Sequence, residues 1–220
     1  MPALVARGSS QRLGASFHTR DATSRDALQL ANICTDSFFG EHKLKDGPII
    51  FAQRTIHFLA VLQQIQRRIK FDEADQRECK LIVATIPNTQ QVVACIDLAV
   101  HLYDQRNSRF ELAQDEMISG GNYVWKPYVA SLAVAPEFRR QGIARRLIRE
   151  VEKTATSWGY RDVMLEVAQT NIGAINLYKR LGYRILSSEE SGASAIEIEV
   201  VAGLWWREYT VPKYILRRRL

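Results

Sequence analysis

Residues 128–155 constrain the fold more tightly than any other part of the chain. Tyr128, Val129, Ala130, Ser131, Leu132, Ala133 and Val134 make an apolar run that ends at Ala135 and Pro136, which predicts a strand. A basic turn follows, with Arg139, Arg140, Gln141 and Gly142. Beyond it Ile143, Leu147, Ile148, Val151 and Ala155 share one face at helical spacing, and Gly159 stands where such a helix stops. Strand and stripe each need an apolar partner, so this segment must lie in a sheet with a helix packed on it. The turn also presents backbone N–H groups at a helix N-terminus, where the donors and the dipole both favour phosphate. Gly142 and Ala144 would let a diphosphate approach the backbone, and Arg140 and Arg145 would add charge suited to bidentate contacts. A basic helix start with a solvated face is the plainer alternative, and the spacing alone leaves both open. The turn is neither a Walker loop nor a dinucleotide Gly-x-Gly-x-x-Gly fingerprint.

The rest of the chain supplies more strands and helices. Ala27, Leu28, Leu30, Ala31 and Cys34 predict a helix over residues 24–39 with Ser24 as its N-cap. Residues 48–71 read as a long amphipathic helix starting at Pro48. Gln53, Arg54, His57, Gln63, Gln64 and Gln66 interrupt it too often for a membrane span. Residues 80–86 form a strand ended by Pro87 and Asn88, and residues 91–102 its hairpin partner. Residues 103–125 read as one long exposed connection, of the kind that often carries function. Residues 162–167 form a further strand. Ala174, Leu177, Tyr178 and Leu181 then repeat at helical spacing before Gly182. Residues 186–204 read as a loop and 204–216 as a last strand, with Pro212 marking an edge or a bulge. Mixed strands and helices around one sheet make this an α+β chain.

Composition narrows the class. With 46% hydrophobic and 25% charged residues the chain is neither disordered nor low-complexity. No linker divides it, so residues 17–220 are expected to be one domain, burying about 70% of the unfolded surface. Thirty Lys and Arg against 24 acidic residues leave a charge of +6, which fits an anionic ligand. Cys34, Cys79 and Cys95 are far apart, and His18, His42, His57 and His101 form no spaced pair. The thiols point to a reducing compartment, and no metal is expected. Residues 1–16 are set apart as a flexible or transit-like segment. Arg7, Arg12 and Arg20 with Ser9, Ser10 and Ser16 precede the first acid, Asp21, a composition that suits an organelle transit peptide. Leu4 to Ser9 also resembles a protease-site linker. Arg217, Arg218 and Arg219 are read as a solvated tail or a contact to an acidic or ribosomal RNA surface. Basic charge without interleaved aromatics argues against nucleic-acid recognition. Trp205 and Trp206 pack in the core or line an acceptor site.

Arg139, Gly142 and Ala144 after Val134 and Pro136 resemble the acetyl-CoA-binding motif of the GNAT superfamily of N-acetyltransferases. Leu165, Glu166 and Val167, then Asn171, Ala174, Leu177, Tyr178, Leu181, Gly182 and Tyr183, match that superfamily's second motif. The resemblance covers residues 128–183 and is closest to enzymes that acetylate protein amino groups, such as ribosomal-protein alanine acetyltransferases. It implies a mixed sheet splayed at the cofactor, with flanking helices. The backbone of Leu132, Ala133 and Val134 would orient the thioester as an added strand. Arg139, Arg140, Gln141, Gly142, Ile143, Ala144 and Arg145 would hold the diphosphate, and Asn171 the pantetheine arm or the helix N-terminus. Tyr178 would be the general acid and Glu166 the base, against the bland roles of core aromatic and salt-bridged carboxylate.

The implied co-substrate is acetyl-CoA and the implied acceptor a protein or peptide amine, at an N-terminus or on lysine. With the transit-like start, the chain also resembles plant plastid enzymes of the superfamily, giving a plastid location, with the cytoplasm as the alternative. Small amines are the alternative acceptors. Loops 103–125 and 186–204, the latter with Glu189, Glu190, Glu197 and Glu199, would decide between the two acceptor classes. A non-catalytic acetyl-CoA-binding module is the alternative from another class, and the presence of Tyr178 and Glu166 argues against it.

Overall fold

The computed structural model describes residues 17–39, 48–73, 78–111, 122–189, 199–201, 205–207 and 212–220. The transit-like segment and residues 190–198 lie outside them, as do the side chains of Glu199, Trp205 and Trp206. β1 (His18–Asp21) leads through a short 3-10 turn into α1 (Ala27–Phe39), and α2 (Pro48–Glu73) follows. β2 (Cys79–Thr85) and β3 (Val92–Asp104) form a hairpin, and β4 (Arg109–Glu111) folds back on the end of β3. β5 (Tyr123–Val134) passes into α3 (Ile143–Ser157), β6 (Asp162–Ala168) into α4 (Ile172–Arg180), and β7 (Arg184–Glu189) follows. β8 (Glu199–Val201) and β9 (Trp205–Arg207) make a separate two-stranded ribbon before β10 (Lys213–Arg219).

The main sheet runs β1-β2-β3-β5-β6-β10-β7, with β4 beside β3. Every pairing in it is antiparallel except β5 with β6. Both faces are covered, which is why β2 and β3 are buried almost continuously instead of alternately. On one face Leu147, Ile148 and Val151 of α3 pack with Ile82, Ile96, Leu98 and Leu165. On the other, Leu30 and Ala31 of α1 and Ile65 and Ile69 of α2 pack with Leu81, Val83, Cys95 and Ala133. Each fully buried aliphatic side chain of this kind contributes about 1.5–3 kcal/mol.

Five sequence readings need correction. Arg217, Arg218 and Arg219 are not a solvated tail but the end of β10, with Arg218 on Glu152 at 2.8 Å. The first helix is capped by Thr23, not Ser24: Thr23 and Asp26 form a reciprocal capping box around the 3-10 turn. Residues 103–125 are not one exposed connection. Tyr103 is buried within β3, and β5 already starts at Tyr123, because Tyr103 and Phe110 find each other across the strands. Residues 184–189 are a strand, not a loop, paired with β10. The last strand begins at Lys213 and lies inside the sheet, between β6 and β7. Pro212 stands just before it, where its missing N–H is harmless.

Candidate active site

The site forms where β5 and β6 cease to be neighbours. They pair only at Tyr128–Met164 and Val129–Leu165, although β5 runs on to Val134 and β6 to Ala168. A bulge marks the parting. Ala130 faces Asp97 and Ala133 faces Cys95, so Ser131 and Leu132 stand against Ile96 alone. Ser131 takes φ 48°, a left-handed conformation uncommon for a side-chain-bearing residue, and the strand bends there. Past the bulge β5 still bonds β3 on one edge, while its edge toward β6 pairs with no strand among the described residues. An extended ligand carrying amide groups fits such an edge as an added strand.

The open edge leads to the basic turn. Residues Pro136–Phe138 form a 3-10 turn, Arg140 has φ 65°, and Gly142 has φ 83° as the N-cap of α3. No side chain caps this helix, and its first internal bond runs from Arg146 N to Gly142 O at 3.1 Å. The leading N–H groups therefore face outward, the donor set that a diphosphate needs. A Cβ on Gly142 would meet no atom within 4 Å: it would stand in the open approach to the turn, in a conformation that suits glycine. The turn is held from inside, Arg139 Nε donating to Val134 O at 3.1 Å and Gln141 Nε2 to Glu137 O at 3.3 Å. Arg140 and Arg145 are exposed beside it. Ile143 and Ala133 are buried at 2% exposure each, so only their backbone can serve a ligand.

Two candidate site residues, Tyr178 and Glu166, lie close to Tyr128 beside the fork. Tyr178 is buried on α4, its ring edge-to-face with Tyr183 at 5.5 Å, and burial pushes its phenol well up. Asn171 caps α4, its Oδ1 accepting from Ala174 N at 3.0 Å. Glu166 lies on β6 just past the last β5–β6 pair, with its side chain 12% exposed and Lys213 Nζ at 3.4 Å from Oε2. The Tyr128 phenol is pushed well up by burial, then by the adjacent Glu166 carboxylate, to which it hydrogen-bonds, and by Tyr178. Tyr128 and Lys213 are site residues that sequence reasoning missed. Their signal is register: Tyr128 pairs with Met164, two residues before Glu166 on the same face, and Lys213 pairs with Ala168, two residues after it.

Behind Tyr128 an aromatic group continues the wall, with Phe110 at 4.5 Å and His101 at 5.2 Å between ring centres. Across the bulge a cavity of about 300 Å³ opens between α1, α2 and the sheet, lined in part by Leu30, Cys34, Phe38, Arg68, Asp97 and Ser131. On its floor Arg68 holds Asp97 at 2.6 Å. Among the described residues no group of side chains is arranged to hold a metal, and no helix is long and apolar enough to cross a membrane.

Residues 58–183 match the acetyltransferase (GNAT) family. A 63-residue segment is 44% identical to GCN5-related N-acetyltransferase 4, chloroplastic, of Arabidopsis thaliana, covering 29% of this chain and 22% of that protein. A 53-residue segment is 45% identical to N-acetyltransferase 8B of Rattus norvegicus, covering 24% of each. The matches thus span about a quarter of these relatives' lengths. The fold extends further. A PaiA N-acetyltransferase from Thermoplasma acidophilum, in complex with coenzyme A, superposes with TM-score 0.60 at 14% identity, over 93% of this chain and 99% of that one. Arabidopsis thaliana NAA60, in complex with a bisubstrate analogue, superposes with TM-score 0.54 at 18% identity, over 93% and 99%. The splayed strands, the uncapped glycine turn and the match over more than half the chain agree: this chain belongs to the GNAT acetyltransferase family.

Proposed function

We propose that the protein transfers an acetyl group from acetyl-CoA to an amino group of a protein, at an N-terminus, on lysine, or both. The observation that carries this is the fork: an unpaired β5 edge running straight to an uncapped, glycine-opened helix start, with Tyr178 and Glu166 close to Tyr128 beside it. Acetyl-CoA supplies an activated acetyl group whose sulfur departs as thiolate. Leu132, Ala133 and Val134 would bind the ligand's amide groups with their backbone and steady the carbonyl oxygen. The turn N–H groups from Gly142 to Arg145, with Arg140 and Arg145, would hold the diphosphate.

Tyr178 keeps a proton on its hydroxyl at neutral pH and donates it toward the departing sulfur. Glu166, directly or through water, accepts the proton that the attacking amine must lose. An α-amine, with a pKa of about 7.7–8.0, needs less help than a lysine at about 10.4. Protein acceptors are supported by the likeness to NAA60 and to a ribosomal-protein-alanine N-acetyltransferase from Brucella melitensis, TM-score 0.56. The chloroplastic relative supports a plastid location. A thialysine N-epsilon-acetyltransferase of Sus scrofa, 38% identical over 63 residues, favours a second reading, acetylation of a small amine. Mass spectrometry of a proteome co-expressed with the enzyme decides: new acetyl groups on α- or ε-amines are expected. Their absence, with turnover on free amines, reverses the order.

A further inference from the structure

Acetyl transfer, as assigned above, leaves all three thiols idle, and two of them meet. Cys34 of α1 and Cys95 of β3 are 61 residues apart in sequence, yet their sulfur atoms lie 3.6 Å apart. Both are free and buried, and both line the cavity of about 300 Å³ beside the bulge. That volume far exceeds the share of one water molecule, about 30 Å³, so a peroxide fits. Cys95 Sγ also lies 3.7 Å from the Ser131 carbonyl, which competes with the Cys34 sulfur for its single S–H. We propose that Cys34 and Cys95 form a modification site, at which a peroxide entering the cavity joins α1 to β3 through a disulfide.

The chemistry balances with peroxide as the oxidant. The Cys34 sulfur takes one oxygen, giving a sulfenic acid and one water. The Cys95 sulfur then displaces that oxygen as a second water while the S–S bond forms and the second thiol proton leaves with it. The two thiols are differentiated for these roles. The hydrogen bond from Cys95 favours the Cys34 thiolate and outweighs its burial, whereas the same bond and full burial push Cys95 well up. Cys34 is thus the attacking sulfur and Cys95 the resolving one. Cys79, also buried, does not line this cavity. Oxidation removes the one S–H that Cys95 shares between Cys34 and the carbonyl of Ser131, the residue at which β5 bends. If the proposed acetyl-transfer reading holds, the link therefore disturbs the β5 edge assigned to the ligand's amide groups and spares the diphosphate turn.

The test is intact mass and peptide mapping of the full chain after hydrogen peroxide and thiol blocking. Expected is the loss of two hydrogens, a single crosslinked peptide pair containing Cys34 and Cys95, and reversal by dithiothreitol. The crosslink should vanish in Cys34→Ser and persist in Cys79→Ser. If the variants fail to fold, the crosslink map of the unaltered chain still decides. Unreacted thiols, a sulfinic acid on Cys34 without a crosslink, or a bridge to Cys79 would overturn the proposal. In the oxidised enzyme coenzyme A affinity is expected to fall about tenfold, and an unchanged affinity refutes the coupling to the bulge. The mass readout needs no turnover, so its failure is separable from failure of the acetyltransferase reading.

Discussion

A phenol kept from water, like that of Tyr178, is a reluctant acid in isolation. In the proposed reaction the thiolate would develop in the same dry fork, where its own proton affinity rises too, so donor and acceptor would remain matched. Tyr178→Phe is expected to lower turnover about 100-fold while coenzyme A binding by calorimetry stays within error; unchanged turnover removes Tyr178 from the mechanism. Gly142 tests the turn. A methyl group there would hold an L residue at φ 83°, at a cost of about 1–2 kcal/mol. Gly142→Ala should show that loss in urea unfolding, together with weakened coenzyme A binding. Normal binding would mean that the ligand lies elsewhere. Glycine and tyrosine were legible from their motif, since their types and spacing are local. Lys213 was not, because only the register of β10 on β6 brings it beside Glu166.

Among the elements, the entry to α1 depends on one carboxylate. Asp26, 4% exposed, accepts from Arg20 NH1 at 2.7 Å and NH2 at 2.9 Å, from Thr23 N at 2.8 Å and from Thr23 Oγ1 at 2.9 Å. Burial alone pushes its carboxyl up, but the bonds from Arg20 and Thr23 outweigh it and hold the pKa below the ordinary value. A depressed native pKa adds stability that is present above the unfolded value, about 3.9, and lost as pH falls through the native one. The melting-point gap between the parent chain and Asp26→Asn should therefore be full at pH 7 and shrink below about pH 4. A gap that widens on acidification would refute the assignment. The helices themselves were readable from apolar spacing. The cap was misplaced by one residue because Thr23 and Ser24 are chemically equivalent candidates, and only the partner Asp26 distinguishes them.

At the scale of the whole molecule, the fork divides the sheet into β1-β2-β3-β5 and β6-β10-β7, joined directly by two residue pairs. A ligand that fills the fork binds the native state alone. Coenzyme A at 100 times its Kd should therefore add about 2.7 kcal/mol to unfolding free energy, read as a rise in melting temperature. Salt should erode that gain, since the Debye length falls from about 10 Å at 0.1 M to about 3 Å at 1 M. A melting point indifferent to coenzyme A would defeat the proposed site. The α+β class, the α3 stripe and the strand–turn–helix unit were visible in sequence because each is set by neighbours a few residues apart. The splay was reached only through the family resemblance, and the place of β10 was not visible at all, being set by pairing across long separations. That placement bears on how the polypeptide emerges from a ribosome. Among the described residues β7 pairs in the main sheet with β10 alone, which is made after it. Until residues 213–219 have been synthesised, the edge of the apolar strand β6 that β10 covers waits open in the nascent chain, and a chaperone that shields it would raise the yield of native enzyme.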